Sequence, residues 1–182
     1  MTDEQRRAAK DPSNTDWQRD LSVSYNKLGD VAMFAGKLDD ARAFFDQALA
    51  VAKVLAAKDP SNTDWQRDLS VSYNKLGDVA VSAGKLDDAR AFFDQALAVA
   101  KALAAKDPSN PVWQLDLCRT LAQRSVVSLR THLPNEATRY LDEARAIYRR
   151  LQQAGLFQHD VRFAQTGGVL NQLTAVAAAS KR

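Results

Sequence analysis

The stretch that decides the fold is "DPSNTDWQRDLSVSYNKLGDVA". It runs from Asp11 to Ala32 and returns unchanged from Asp59 to Ala80. Working outward, Asp11–Lys58 matches Asp59–Lys106 at all but three positions: Met33 against Val81, Phe34 against Ser82, and Val54 against Ala102. A diverged third copy opens at Asp107 with "DPSNPVWQLDL". It keeps Trp113, Gln114, Asp116, Leu117, Ala137, Asp142, Ala144, Ala146 and Leu151 in register. "FQHDV" at Phe157–Val161 echoes "WQRDL", and "AAKDPSN" at Ala8–Asn14 returns at Ala104–Asn110. Self-similarity at a fixed period of this size marks a stacked array, in which each unit buries its apolar face against its neighbours. The expected organisation is one domain over residues 1–182. Its units are 11–58, 59–106 and 107–155, with a capping helix in 156–182 and residues 1–10 as the tail of a partial preceding unit.

Composition agrees with an all-helical chain. The 182 residues include only 7 Gly and 5 Pro, and β-branched runs are missing. Hydrophobic residues are 46% and charged residues 26%, which excludes a disordered chain. No apolar run reaches membrane-spanning length, and "MTDEQRRAAKDP" is not a signal peptide. With one cysteine, Cys118, no internal disulfide can form. A cytoplasmic protein without cofactor is expected. The net charge is +3, and the basic surplus lies after Asp107. Nucleic-acid binding by Arg119, Arg130, Arg139, Arg145, Arg149 and Arg150 is disfavoured, because no aromatics interleave them for base stacking.

Each unit reads as two helices. In the first, Trp65, Leu69, Tyr73, Leu76 and Ala80 recur at spacings of three and four. Asn62 is the N-cap, and Asn110 followed by Pro111 repeats the signal. Gly84 in "SAGK" offers a left-handed C-terminal cap. The second helix carries Leu86, Ala89, Phe93, Ala96, Ala100 and Leu103, widened by Phe92 and Val99. The acids of "LDDA" at Leu38–Ala41 and Leu86–Ala89 are expected to cap that helix. Trp17, Trp65 and Trp113 are expected to pack as a layer with Leu55, Leu103 and Leu151.

The run Tyr73, Leu76, Gly77, Ala80, Ala89, Phe93, Ala96, with its counterpart Tyr25, Leu28, Gly29, Ala32, Ala41, Phe45, Ala48, resembles the tetratricopeptide repeat. The resemblance covers residues from about 11 to 155. It implies a right-handed superhelical solenoid of antiparallel helix pairs, about seven helices in all. The 48-residue unit is longer than that family's 34. Long repeats of the "WQRDLSVSYNKLGDV" type resemble those of bacterial multidomain proteins. The third unit departs, with Ser125 at the glycine position and Pro134 opening its second helix.

Catalytic and metal-binding roles find no support. His132 and His159 have no ligand partner at helical spacing, Cys118 reads as a buried inert thiol, and "TGG" at Thr166–Gly168 reads as a kink or helix break. No enzyme activity is expected. The resemblance implies instead a protein or peptide partner held on the concave face lined by first helices. By register that face holds Val23, Asn26, Asp30, Met33 and Phe34, then Val71, Asn74, Asp78, Val81 and Ser82, then Arg119, Ala122, Val126, Leu129 and Arg130. Asparagine amides there can bridge a peptide backbone. Asp30 and Asp78 would favour a basic ligand residue, and Arg119 and Arg130 an acidic one. The alternative is self-assembly, a homo-oligomer through the uncapped N-terminal face or a regulatory piece of a longer array.

Overall fold

The computed structural model describes residues 3–157 and 160–179. Eight helices occur among them: α1 (Asp3–Lys10), α2 (Thr15–Phe34), α3 (Leu38–Lys58), α4 (Thr63–Ser82), α5 (Leu86–Lys106), α6 (Pro111–Arg130), α7 (Pro134–Gln153) and α8 (Val161–Ala179). No strand is found among the described residues. The starts of α2, α4 and α6 fall at equivalent repeat positions, as do those of α3, α5 and α7. The eighth helix, beyond the expected seven, is the short α1. The helices form two compact units, Met1–Val99 and Ala100–Arg182, each described by itself below.

The "DPSN" linkers work as local devices. Asp11 accepts from both the backbone N–H and the hydroxyl of Ser13, at 3.1 and 2.6 Å. The Ser13 hydroxyl, foremost, holds the Asp11 carboxyl below its ordinary range. Asn14 then accepts from the Trp17 N–H, satisfying one of the orphan donors of the first turn of α2. Asn62 and Asn110 do the same for α4 and α6.

The far ends of these helices close in one way three times. Gly36 and Gly84 sit at φ of 72° and 73°, and the N–H one residue on reaches back to Ala32 or Ala80. This is the Schellman closure, which calls for a left-handed residue. In the third copy His132 stands there at φ 58°, with Leu133 N–H bonded to the Ser128 carbonyl. The acids of "LDDA" do not form side-chain caps. Lys37 is the N-cap of α3, without a side-chain bond, and Asp39 and Asp40 serve only as first-turn charge.

In the first unit, close approach sets the packing of α2 on α3. A Cβ on Gly29 would lie inside contact distance of the Phe45 ring, and Gly77 meets Phe93 in the same way. Both rings are fully buried. Nearby, the Ser22 hydroxyl donates to the Ala48 carbonyl at 3.1 Å, and Ser70 donates to Ala96 at 3.1 Å. The early part of each first helix thus meets the later part of its partner, the antiparallel hairpin of the expectation. α1 takes a recurring place as well. Gln18 reaches the Ala8 carbonyl as Gln66 reaches Ala56, each at 3.1 Å, so α1 stands against α2 as the end of α3 stands against α4.

The second unit keeps the scaffold and changes its contents. Cys118 takes the place of Ser22 and Ser70, and its thiol lies 3.2 Å from the Ala144 carbonyl. Ser125 replaces the glycine and donates to the Ala137 carbonyl at 3.0 Å. α8 runs unbroken through Gly167 and Gly168, contrary to the expected kink or break, and Gly167 lies against Tyr148, where a Cβ would collide. Tyr148 in turn stacks on Phe163, with ring centroids 4.3 Å apart. Along this helix, expected to cap the array, Leu170 is buried, Leu173 half-buried and Val176 exposed. The side chain of Val161 lies outside the described residues.

The residues of the expected tryptophan layer are covered to different depths. Leu55, Leu103 and Leu151 are buried core, but Trp17, Trp65 and Trp113 are only half-buried.

Candidate functional site

The expected binding positions of the first unit lie on α2 and α4, whose neighbouring faces touch. On α2, Val23 and Asp30 are exposed, Asn26 is half-buried, and Phe34 is almost wholly exposed at 97%. Met33 is half-buried and packs against the core cluster of Ala32, Ala41 and Phe45, so it is shared between core and surface. On α4, Val71, Asn74, Asp78 and Val81 are half-buried and Ser82 is exposed. The Ser82 hydroxyl is spent on the Asp78 carbonyl, at 3.0 Å.

Two contacts join these faces. The Asn26 amide donates to the Ser72 hydroxyl at a long 3.5 Å, and its carbonyl oxygen is buried with no hydrogen-bond partner. A buried acceptor left in this state is costly, and it is satisfied wherever a donor can be brought to it. Asp30 meets the Lys75 ammonium at 2.5 Å. Its charge is thus already compensated, which weakens the expected preference for a basic ligand residue. Lys75 was not among the expected site residues. The signal lay in the repeat itself, since Lys75 stands 45 positions after Asp30 and stacking brings such positions together.

In the second unit, Arg119 is exposed, Ala122 buried, Val126 and Leu129 half-buried and Arg130 exposed. Arg119, Ala122 and Val126 line a cavity of about 210 Å³ with Gln165, Thr166 and Val169 of α8. The six positions come from two helices that a sequence reading places far apart.

The most buried charge in this unit was missed. Arg124 is 2% exposed and stands where the first two copies have Leu28 and Leu76. Its guanidinium meets Glu136 at 2.8 Å and the Ser128 hydroxyl at 2.8 Å, and lies over the Tyr140 ring, 5.0 Å from the centroid. Glu136 takes the register of Asp40 and Asp88, so an arginine at a leucine position with a longer acid one helix on was the available signal. The guanidinium is buried, while the Glu136 side chain keeps 25% exposure and reaches the surface.

Burial, foremost, pushes the Cys118 thiol up to about 12, so it carries almost no nucleophilic thiolate near neutral pH. His132 is an exposed turn residue, and His159 lies outside the described residues. Among the described residues no group of three or more His, Cys, Asp or Glu could hold a metal ion, and no helix is long and apolar enough to cross a membrane.

Residues 20–102 match the family model of the tetratricopeptide repeat. That region is similar to the tetratricopeptide repeat. The matched region spans most of both near-identical copies, where the Gly29–Phe45 and Gly77–Phe93 contacts are found. Repeats of this kind are in general protein-interaction scaffolds. Comparison with curated proteins found no match. Among solved structures, the repeat protein is similar to a de novo designed helical repeat protein at 10% identity and a TM-score of 0.37, covering 98% of this chain and 88% of that one. A likeness that loose carries no argument.

Proposed function

We propose that this tetratricopeptide-like repeat protein is a binding scaffold that holds an extended partner segment along the exposed face of its first helices, in a cytoplasmic setting. The units 11–58, 59–106 and 107–155 act as its modules. The observation that carries the reading is the α2 face. A nearly fully exposed Phe34 and an exposed Val23 flank an asparagine whose carbonyl oxygen is buried and unpartnered. Exposed apolar anchors on one helix face are features an extended ligand can use. Asn74 repeats the amide on α4. Arg119 and Arg130 on α6 are the positions suited to an acidic ligand residue.

The two copies differ within this face, so the natural sequence supplies the variant. Met33→Val with Phe34→Ser turns the first copy's face into that of the second. A displayed library of random extended peptides, panned on the wild-type chain, should enrich a consensus with an apolar residue. The doubly substituted chain, and separately Asn26→Ala/Asn74→Ala, should lose that consensus while keeping full helicity by circular dichroism. If wild type and variants enrich the same peptides, the first-helix face is not the binding site.

A further inference from the structure

The seam between a second helix and the first helix that follows it is apolar in one copy and polar in another. At the α3–α4 seam of the first unit, α3 contributes Leu49, Ala52 and Ala56, all buried. The Gln66 amide of α4 reaches the Ala56 carbonyl there at 3.1 Å. In the third copy the same registers on α7 hold Arg145, Tyr148 and Gln152, and Lys53 gives way to Arg149. Arg145 and Tyr148 are half-buried, and Arg149 and Gln152 are exposed. Together with α8 they line a cavity of about 390 Å³.

The lining is cationic. Arg145 and Arg149 stand four residues apart on α7, so both guanidinium groups rise from one helix face. No acidic residue is found among the described residues of the wall. The Tyr148 hydroxyl, the Gln152 amide and, from α8, the Asn171 amide add neutral donors. Two adjacent glycines cut away the α8 side. Gly167 makes room for Tyr148, since a Cβ there would collide with the phenol. Gly168 has no such reason, because a Cβ there would meet nothing within 4 Å. Glycine inside a helix is destabilising relative to alanine, and at Gly168 no packing contact offsets that loss. What it leaves is open space on the α8 side of the cavity.

We propose that the α7–α8 cavity binds a phosphate monoester, with Arg145 and Arg149 on its oxygens. Two neighbouring guanidinium groups repel each other and call for a dianion. A phosphate monoester carries a charge of about −1.5 to −2 near neutral pH and three strong acceptor oxygens, which guanidinium forks engage in pairs. A lone carboxylate neutralises only one of the two cations. The cavity also admits part of the group that carries the phosphate, beside Tyr148 and Leu170. This inference uses α7 and α8 and none of the first-helix positions of the peptide-binding reading, so either can fail alone.

The test titrates the full chain by calorimetry with glycerol 1-phosphate, with a heptapeptide containing phosphoserine, and with glutarate as a dicarboxylate. Saturable one-to-one binding of the phosphate probes is expected, with glutarate tenfold weaker or more. Arg145→Gln/Arg149→Gln should weaken the phosphate probes tenfold or more. Gly168→Leu, which fills the cavity from α8, should do the same without removing a charge. Arg119→Gln/Arg130→Gln removes equal charge from α6 and should leave affinity within twofold. Circular dichroism checks that each variant keeps its helicity. Tighter binding of the phosphopeptide assigns the phosphate to a modified protein segment, and equal or tighter binding of glycerol 1-phosphate assigns it to a free ester. Absence of saturable binding by both phosphate probes overturns the proposal. So does binding that survives either cavity variant, that falls equally in the α6 variant, or that glutarate matches.

Discussion

At the scale of the residue, the third copy shows what the first two require. Gly36 and Gly84 hold a left-handed turn without strain, since glycine has no Cβ to meet the following carbonyl. His132 holds the same turn at φ 58° with a side chain that is exposed. A left-handed L-residue costs about 1–2 kcal/mol, partly offset in any comparison because glycine has more freedom to lose on folding. His132→Gly is therefore expected to stabilise the chain by up to about 1 kcal/mol, read as a rise in the urea midpoint at unchanged slope. A lowered midpoint would mean that the histidine makes a contact worth more than the strain. The turn itself was legible, because "SAGK" announces it. The strain was not, because it appears only when His132 is laid on the register of two glycines and the closure is seen to be the same.

At the scale of the element, helix pairs are joined by two interchangeable solutions. The first copies use glycine against phenylalanine, with leucine at Leu28 and Leu76 beside them. The third has Ser125 and Leu141 at those positions, and a buried Arg124 paired with half-buried Glu136 in place of the leucine. A buried ion pair adds little net stability when intact, yet removing one partner strands the other charge. Glu136→Ala is expected to cost about 3 kcal/mol in urea denaturation, whereas Arg124→Leu, which restores the residue of the other copies, should cost much less. Equal losses would show that the guanidinium contributes packing alone. Helix positions, lengths and pairing were readable from the period and from spacings of three and four. The half-burial of the tryptophans and the burial of Arg124 were not, since periodicity reports which face a residue is on and not how deeply its neighbours cover it. The same holds for the candidate site. The register put Asn26, Asp30 and Phe34 on one face, but only coordinates show Asp30 joined to Lys75 and the Asn26 carbonyl left without a donor.

At the scale of the whole molecule, a repeat protein gives one residue different physics according to its place in the array. Val31 and Val79 are the same residue in the same 22-residue sequence, in helices that begin and end alike. Val79 closes the cluster around Phe45, whereas Val31 stands in solvent. An aspartate at Val79 must either bury a charge or open the contact of α4 with α3. At Val31 it meets water and forfeits only the small apolar area covered there. Val79→Asp is expected to cost 3 kcal/mol or more, and Val31→Asp less than about 0.5 kcal/mol. Paired urea titrations measure both. The contrast separates position in the array from sequence, because the two valines lie in the same 22-residue stretch and differ in exposure, 68% against 3%. A large stability loss at Val31 would mean that the side chain makes contacts in the free chain that its 68% exposure does not show.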